Sequence, residues 1–293
     1  MGDYASGRTR QPTQNLRPAG GVSARLQVRA KHVGSTPVPF AGEGFSSAGL
    51  TELAVRLAAG VFPIGWLGAA TLALWRAQDP AAAVDTAPGG QRRLTVAPER
   101  ERFTAVAQAA RTQGLLGHWR DECFEVVVPS TAVPLFELER AAFRLFGLRS
   151  QAAQLVARRP DGAMWVARRS ASKAIDPGLL DTLVGGGVAV GETPWQTLLR
   201  EAQEEAGIAP ALLADAHSSA VFEVLRRVPQ GVQYELVHVF QLSLPNAWQP
   251  VNADGEVAEF LCLTPVALAR ALRDGLFSFE AAESIAALQG FGP

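Results

Sequence analysis

The stretch GGVAVGETPWQTLLREAQEEAGI, residues 186–208, contains the start and the end of one helix. Thr193 is a favoured N-cap residue, and Pro194 suits the first helical turn. Gln196 lies three residues after the cap, which completes a capping box. Gly207 is the residue type that most often follows the last turn of a helix. We therefore predict a helix that begins after Thr193 and ends before Gly207.

Three carboxylates share one side of this helix near its C-terminal end. Glu201, Glu204 and Glu205 are spaced i, i+3 and i+4, and the helix macrodipole disfavours anions at this end. Arg200 and solvent can neutralise part of the charge. Mg²⁺ would neutralise it fully, because it prefers carboxylate oxygens and keeps waters for a phosphate group. Taken alone, such a cluster is more typical of a solvated helix face, so the surrounding residues must decide.

Seven residues in this stretch occur at the spacing of a known motif. The pattern is a glycine, a later glutamate, and then R-E-U-x-E-E-x-G-U, in which U is apolar. Chance would reproduce it less than about once in 10⁵ chains of this length. The sequence therefore resembles the Nudix family, although Ala202 stands at the first U position, where a larger aliphatic residue is usual. The seven matching residues are Gly186, Glu192, Arg200, Glu201, Glu204, Glu205 and Gly207.

The Nudix resemblance implies an α/β/α sandwich and hydrolysis of a diphosphate linked to another group. It implies Mg²⁺ as cofactor, with Mn²⁺ as a substitute, and a small-molecule diphosphate as partner. The ions would neutralise phosphate charge and lower the pKa of an attacking water. The metal ligands that the resemblance implies are Glu201, Glu204, Glu205 and the carbonyl oxygen of Gly185.

The same resemblance implies the remaining roles in the motif. Arg200 orients a glutamate and is placed with Glu204 among the catalytic residues. Glu256 lies well after the motif, where Nudix enzymes often supply one more acid as ligand or base, and it is the third catalytic candidate. A surface or helix-capping role is the alternative for Glu256. The residues with a structural role in the motif are Gly186, Glu192 and Gly207.

A second resemblance covers roughly residues 95–267. The runs that carry it are GHWRDECFEV from Gly117, ERAAFRLFG, RRSASKAIDPGLLDTLVGGG from Arg168, YELVHVFQLSLP and DGEVAEF. They resemble the Nudix subfamily related to thiamin pyrophosphokinase, whose members carry their own N-terminal domain. This resemblance implies hydrolysis of thiamin diphosphate, or of its oxidised or damaged analogues, to the monophosphate and phosphate. Thr182 departs from the subfamily pattern, in which asparagine is usual.

Two other functions are alternatives to this one. A Nudix pyrophosphatase could act on nucleoside diphosphate derivatives, and a catalytically silent Nudix domain could serve as a ligand sensor. The intact glutamates argue against the silent domain. Candidate substrate-binding residues are the cations Arg168, Arg169 and Lys173, which suit phosphate, and Trp119, which suits a heteroaromatic ring. Solvated cations on a strand edge and ordinary aromatic packing are the corresponding alternatives.

Composition excludes several classes of protein. Of the 293 residues, 48% are hydrophobic and 19% are charged, as in ordinary globular chains, and the net charge of −1 provides no field for nucleic acid. Two cysteines are too few for a disulfide scaffold, which indicates a reducing, cytoplasmic location. The uncharged run at residues 57–75 is close to membrane-spanning length. Its glycines and Pro63 favour a buried core segment, so no membrane partner is expected.

The chain is long enough for two modest domains. We predict a disordered extension at residues 1–45, a smaller α/β accessory domain at 46–150 and the Nudix domain at 151–293. A homodimer is left open. We also expect residues 95–150 to form one wall of the pocket and to hold the non-phosphate part of the substrate.

Local patterns predict the following elements. Helices are expected at residues 50–59, 98–114, 135–148, 265–273 and 279–288. Strands are expected at residues 123–128, 153–159, 163–169, 219–228, 233–244 and 259–263, with a hairpin turn at 160–162.

Overall fold

The computed structural model describes residues 45–117, 119–173, 175–252 and 255–289. Apart from Phe45, the predicted N-terminal extension lies outside these ranges. The described strands form a four-stranded sheet, a seven-stranded sheet and a two-stranded hairpin. In the described part of the chain, no helix is long and apolar enough to cross a membrane.

The N-terminal part contains the four-stranded sheet, with strand order β2-β1-β4-β3, and the hairpin β5–β6. Its core is aromatic, and the rings of Trp75, Phe103 and Phe146 meet edge to face with centroids 4.8 to 5.7 Å apart. The elements are β1 (Thr51–Leu57), β2 (Gly60–Leu67), α1 (Ala69–Gln78), β3 (Val84–Thr86), β4 (Arg92–Val96), α2 (Arg100–Thr112), β5 (Cys123–Val127), β6 (Pro134–Glu139) and α3 (Ala142–Phe146).

Two helices predicted in this part are wrong. Within residues 50–59, Thr51–Leu57 form β1, which pairs with β2 on one side and β4 on the other. The first five residues of β1 are buried. A strand that is covered on both faces is a continuous apolar run, which periodicity alone does not distinguish from a helix. Of residues 135–148, the first part extends β6, which pairs with β5, and only Ala142–Phe146 is helical.

The C-terminal part contains the seven-stranded sheet. Its main order is β11-β12-β7-β8-β13, with β10 paired to β7 and β9 paired to β8. Strands β7 and β12 are parallel, and the other pairs in this sheet are antiparallel. The elements are β7 (Arg149–Arg158), β8 (Met164–Arg169), β9 (Leu180–Asp181), β10 (Val184–Gly187), α4 (Pro194–Ala206), a 3-10 helix (Pro210–Asp215), β11 (His217–Val228), β12 (Gly231–Ser243), β13 (Val257–Leu263), α5 (Pro265–Arg273) and α6 (Phe279–Gln289).

This sheet lies between two helical layers. Because successive strand residues point to opposite faces, Leu155 of β7 joins the core that contains Leu198 of α4. The next residue, Val156, joins the core that contains Ile285 of α6. The α/β/α sandwich and the smaller N-terminal α/β part are therefore confirmed. The predicted hairpin, the later strands and the last two helices are also found, with shifts of a few residues at their ends.

The two parts pack directly against each other. Leu50 and Trp66 of the N-terminal part share an apolar cluster with Leu225, Val232 and Tyr234 of β11 and β12. Near helix α4, the Val190 N–H donates to the carbonyl of Cys123 at 3.1 Å. The β5–β6 hairpin is thus fixed next to the loop that leads into α4.

Candidate active site

Helix α4 has the predicted caps. The Thr193 side chain accepts a hydrogen bond from the Gln196 N–H at 3.2 Å, and Gln196 Oε1 accepts one from the Thr193 N–H at 2.8 Å. Gly207 ends the helix with a φ of 64°, in the left-handed region. Leu198 and Ala202 are fully buried against the sheet. This packing fixes which side of α4 presents the carboxylates.

Strand β10 holds two of the three glutamates. The Gly185 N–H donates to Glu205 Oε2 at 3.0 Å. A Cβ atom at Gly186 would lie 2.1 Å from Glu201 Oε1, so the Glu201 side chain lies directly on the backbone of this glycine. Any larger residue at position 186 would displace Glu201, which gives the motif glycine a physical role.

Arg200 connects the motif carboxylates to one another. Its Nε and Nη2 donate to the two oxygens of Glu192 at 2.9 and 3.0 Å. Its Nη1 donates to Glu201 at 2.8 Å and to Glu204 at 3.2 Å. The hydrogen bonds from Arg200, with one from Thr197 at 2.7 Å, lower the pKa of Glu192. Glu192 therefore stays ionised and anchors the guanidinium in a bidentate pair.

Two carboxyl groups of α4 are short of positive charge. Glu205 is only 7% exposed, and burial raises its pKa to about 8, against the hydrogen bond from Gly185. Burial also raises the pKa of Glu201, against the charge of Arg200. A cation close to both groups would favour their ionised forms. Hard oxygen donors at this site therefore fit Mg²⁺ or Mn²⁺ chemically.

In the described residues, the predicted metal ligands do not surround one common point. Within the described ranges, no group of three or more Asp, Glu, His or Cys side chains is arranged as a metal site. Arg200 Nη1 contacts both Glu201 and Glu204. A metal ion held by these two carboxylates would compete with Arg200 for their charge, whereas the bidentate pair of Arg200 with Glu192 involves neither of them.

Glu256 lies just before β13 and faces the same site. It forms an ion pair with Lys173, and its Oε1 is 3.9 Å from Arg120 Nη1. Burial acts to raise the pKa of Glu256, but the hydrogen bond and charge of Lys173 and the charge of Arg120 lower it overall. The structure thus brings an ionised acid to the position that the resemblance implies for a further ligand or base.

The four predicted substrate-binding residues have different positions. Lys173 reaches the site through Glu256. Arg168 pairs with Glu259, and Arg169 pairs with Asp181 at 2.6 Å. Trp119 packs against the N-terminal core, donates to Asp121 at 2.9 Å and lies under the guanidinium of Arg111. The two arginines and the tryptophan are therefore occupied by protein partners.

A cleft of about 510 Å³ lies over α4 and is walled by both parts of the chain. Three of its charged lining residues were not identified from the sequence, although they lie in the charged run WRDE and the run ERAAFRLFG. They converge only because β5–β6 packs against the loop before α4. The three are Arg120, Glu122 and Arg140, and the other lining residues are Ala189, Glu192, Arg200, Glu201, Glu204 and Glu256.

Comparison with known proteins finds family matches in both parts of the chain. Residues 148–285 match the NUDIX domain family, and residues 91–150 match a domain of unknown function, DUF4743. Nudix hydrolase 24, chloroplastic, from Arabidopsis thaliana is 31% identical over 183 residues, which are 60% of this chain and 50% of the relative. Nudix hydrolase 20, chloroplastic, from the same plant is 32% identical over 173 residues, covering 57% and 46%.

The chain thus spans about half the length of the curated relatives that it matches. Among solved structures, DR0079 from Deinococcus radiodurans superposes with a TM-score of 0.46 at 25% identity, over 58% of this chain and 100% of that one. Residues 148–285 are therefore similar to the NUDIX domain family, and the two relatives that the chain resembles are named as Nudix hydrolases.

Proposed function

We propose that this chain is a Mg²⁺-dependent hydrolase of diphosphate linkages, with Mn²⁺ as a substitute ion. The observation that carries the proposal is the pair of buried carboxyls with raised pKa values, Glu201 and Glu205, on the capped helix that lines the cleft. Glu201, Glu204, Glu205 and the Gly185 carbonyl would hold the metal. When bound, the ion would neutralise phosphate charge and lower the pKa of the attacking water.

The protein groups then have distinct tasks in the reaction. Arg200 positions the motif glutamates through its pair with Glu192. Glu256, which Lys173 helps to keep ionised, accepts a proton from water as the water oxygen bonds to phosphorus. The bridging P–O bond breaks, and the products are a monophosphate and phosphate.

For the substrate we propose thiamin diphosphate or its oxidised or damaged analogues. The resemblance of residues 95–267 to the thiamin pyrophosphokinase-related subfamily supports this choice. Nucleoside diphosphate derivatives are the second candidate, because the three arginines of the cleft lining suit the phosphate groups of any diphosphate.

We further propose two domains, residues 46–150 and 151–293, preceded by an extension. A cytoplasmic location is supported by the two free cysteines, Cys123 and Cys262. The names of the two relatives include the word chloroplastic, which makes an organelle the alternative. A small-molecule diphosphate is the proposed partner, and a homodimer would not change the reaction.

Phosphate release tests the proposal directly. The purified chain is assayed with Mg²⁺ against thiamin diphosphate, its oxidised analogues, ADP-ribose, nucleotide sugars and dinucleotides, with Glu205→Gln as the matched inactive control. We expect metal-dependent release from the thiamin compounds and none from the control. Preferred release from ADP-ribose or dinucleotides would support the second candidate. Binding without release from any substrate would support the silent ligand-sensing module and contradict hydrolysis.

A further inference from the structure

The N-terminal wall of the cleft carries two arginines that the motif does not include. Arg120 precedes β5, and Arg140 follows β6, so the hairpin brings them to one wall. Both lie within the DUF4743 match, residues 91–150. The cleft over the carboxylates of α4 therefore also presents two cations.

Arg140 is held in place by two contacts. Its guanidinium forms an ion pair with Glu122 and lies over the Phe124 ring, 5.1 Å from the centroid. A guanidinium has five N–H donors, and one carboxylate and a ring face do not use all of them. Arg140 is thus a pre-positioned cation that keeps donor capacity at the cleft.

Arg120 is anchored at its backbone, and its side chain is half-exposed. Its N–H donates to Glu139 Oε1 at 3.1 Å. The guanidinium is 45% exposed, and its ion pair with Glu256 has a separation of 3.9 Å, which is beyond hydrogen-bond distance. A half-exposed ion pair of this length contributes little stability, so the guanidinium can turn towards a stronger acceptor at small cost.

The N-terminal wall of the cleft is also fixed relative to helix α4. A Cβ atom at Gly187 would lie 2.4 Å from Phe124 Cζ, so the ring under Arg140 packs directly on strand β10. The preceding glycine of that strand supports Glu201. The two sides of the cleft are therefore held at a set separation by direct packing.

We propose that Arg120 and Arg140 bind the phosphate groups of the substrate from the N-terminal wall. The inference rests on the proposed diphosphate hydrolysis and assigns substrate binding to the DUF4743 segment. Planar guanidinium groups match phosphate oxygens in bidentate pairs. The wall thus holds the phosphate part of the substrate, whereas the sequence led us to expect contact with its non-phosphate part.

Calorimetric titration with methylenediphosphonate, a diphosphate analogue without a scissile bridging oxygen, tests this assignment in the presence of Mg²⁺. Arg120→Gln and Arg140→Gln should each weaken its binding about 10- to 100-fold, as expected for a lost charge-assisted hydrogen bond. Mg²⁺ binding, titrated separately, should not change. Arg76→Gln, an exposed arginine on α1, is the matched control and should bind as wild type.

The possible results separate this inference from the proposed function. Wild-type affinity in both cleft variants, with binding lost in Glu205→Gln, would overturn the arginine assignment and leave the metal site standing. Arginine-dependent binding without any Mg²⁺ binding would support the arginines and contradict the metal-dependent function. No binding of the analogue to wild type would overturn the arginine assignment. If Arg140→Gln is unfolded at the temperature of the titration, binding of the analogue to Arg120→Gln and Arg140→Lys tests the assignment instead.

Discussion

The two sides of the cleft have opposite charge. On the α4 side, Arg200 pairs with three carboxylates (Glu192, Glu201 and Glu204), and burial raises the pKa of Glu201 and of Glu205 on the same helix. On the opposite side, Arg120 and Arg140 lie beside Glu256 and Glu122, and Lys173 pairs with Glu256.

This difference explains how one cleft can suit both a metal ion and a diphosphate. The α4 side has more carboxylates than cations, and the opposite side presents two arginines to an anion. A metal–diphosphate complex would supply both charges at once. Glu205 and Glu256 illustrate the contrast. Burial raises the pKa of Glu205 to about 8 even though the charge of Lys173 opposes the shift, whereas the direct hydrogen bond and charge of Lys173 lower the pKa of Glu256.

The largest expected effect comes from removing charge on the α4 side. Glu205→Gln should lower kcat/KM by more than about 100-fold, because a proposed metal ligand is lost. Without metal, the same variant should melt at the wild-type temperature or slightly above it. The folded-state pKa of Glu205, about 8, exceeds the unfolded value. The free energy of unfolding therefore falls as pH rises from the unfolded pKa towards 8, and a neutral glutamine avoids this loss. Full activity of the variant at saturating Mg²⁺ would contradict the ligand assignment.

Changing the separation of the two sides should have the next largest effect. Gly187→Ala places a Cβ atom against Phe124, and overpacking of this kind costs about 1 to 3 kcal/mol. We expect a lower melting temperature and a raised KM. Phe124→Leu in the same chain should restore part of both. Gly117→Ala is the control, because its Cβ would meet no atom within 4 Å. An unchanged KM in Gly187→Ala would show that the spacing does not matter.

Lys173→Gln tests the charge on the opposite side. Burial alone would raise the pKa of Glu256, and Lys173 opposes that shift, so its loss should move this pKa upwards. If ionised Glu256 accepts the proton, the acid limb of the kcat/KM profile shifts to higher pH, and activity at neutral pH falls by about 10-fold. Arg168→Gln, which loses a pair with Glu259 instead, should keep the wild-type profile. Identical pH profiles of kcat/KM for wild type, Lys173→Gln and Arg168→Gln would contradict the assignment of Glu256 as the base.

The smallest effect is expected far from the cleft. Deleting residues 1–44 should leave melting and turnover unchanged, because their composition has too few apolar side chains to offset the entropy of ordering. Phe45 is retained, since its ring packs on Trp66 at 5.4 Å. A marked fall in melting temperature would show that the deleted segment packs on the fold.

Local signals account for what the sequence predicted well. The caps of α4 and the turn of the β7–β8 hairpin are determined by neighbours in the chain, so their residues could be identified without tertiary information. Strand β1 was missed because burial on both faces removes the period-two pattern.

The N-terminal wall could not be predicted in the same way. Arg120 and Arg140 meet the glutamates only after Phe124 packs on Gly187, a contact between residues 63 positions apart in the chain. Charge and spacing in one segment give no information on such an approach. The charged run WRDE before β5 could be recognised in the sequence, but the part of the fold that it faces could not.

Thermal melting with and without Mg²⁺ tests the central claim, the cation deficit of the α4 side, most directly. An ion at about 100 times its Kd stabilises the folded state by about 2.7 kcal/mol, which corresponds to a rise of about 4 to 5 °C for a chain of this size. We predict this rise in wild type and its loss in Glu205→Gln, with Arg76→Gln behaving as wild type. Equal rises in wild type and Glu205→Gln, or no rise in wild type at tens of millimolar Mg²⁺, would contradict the account.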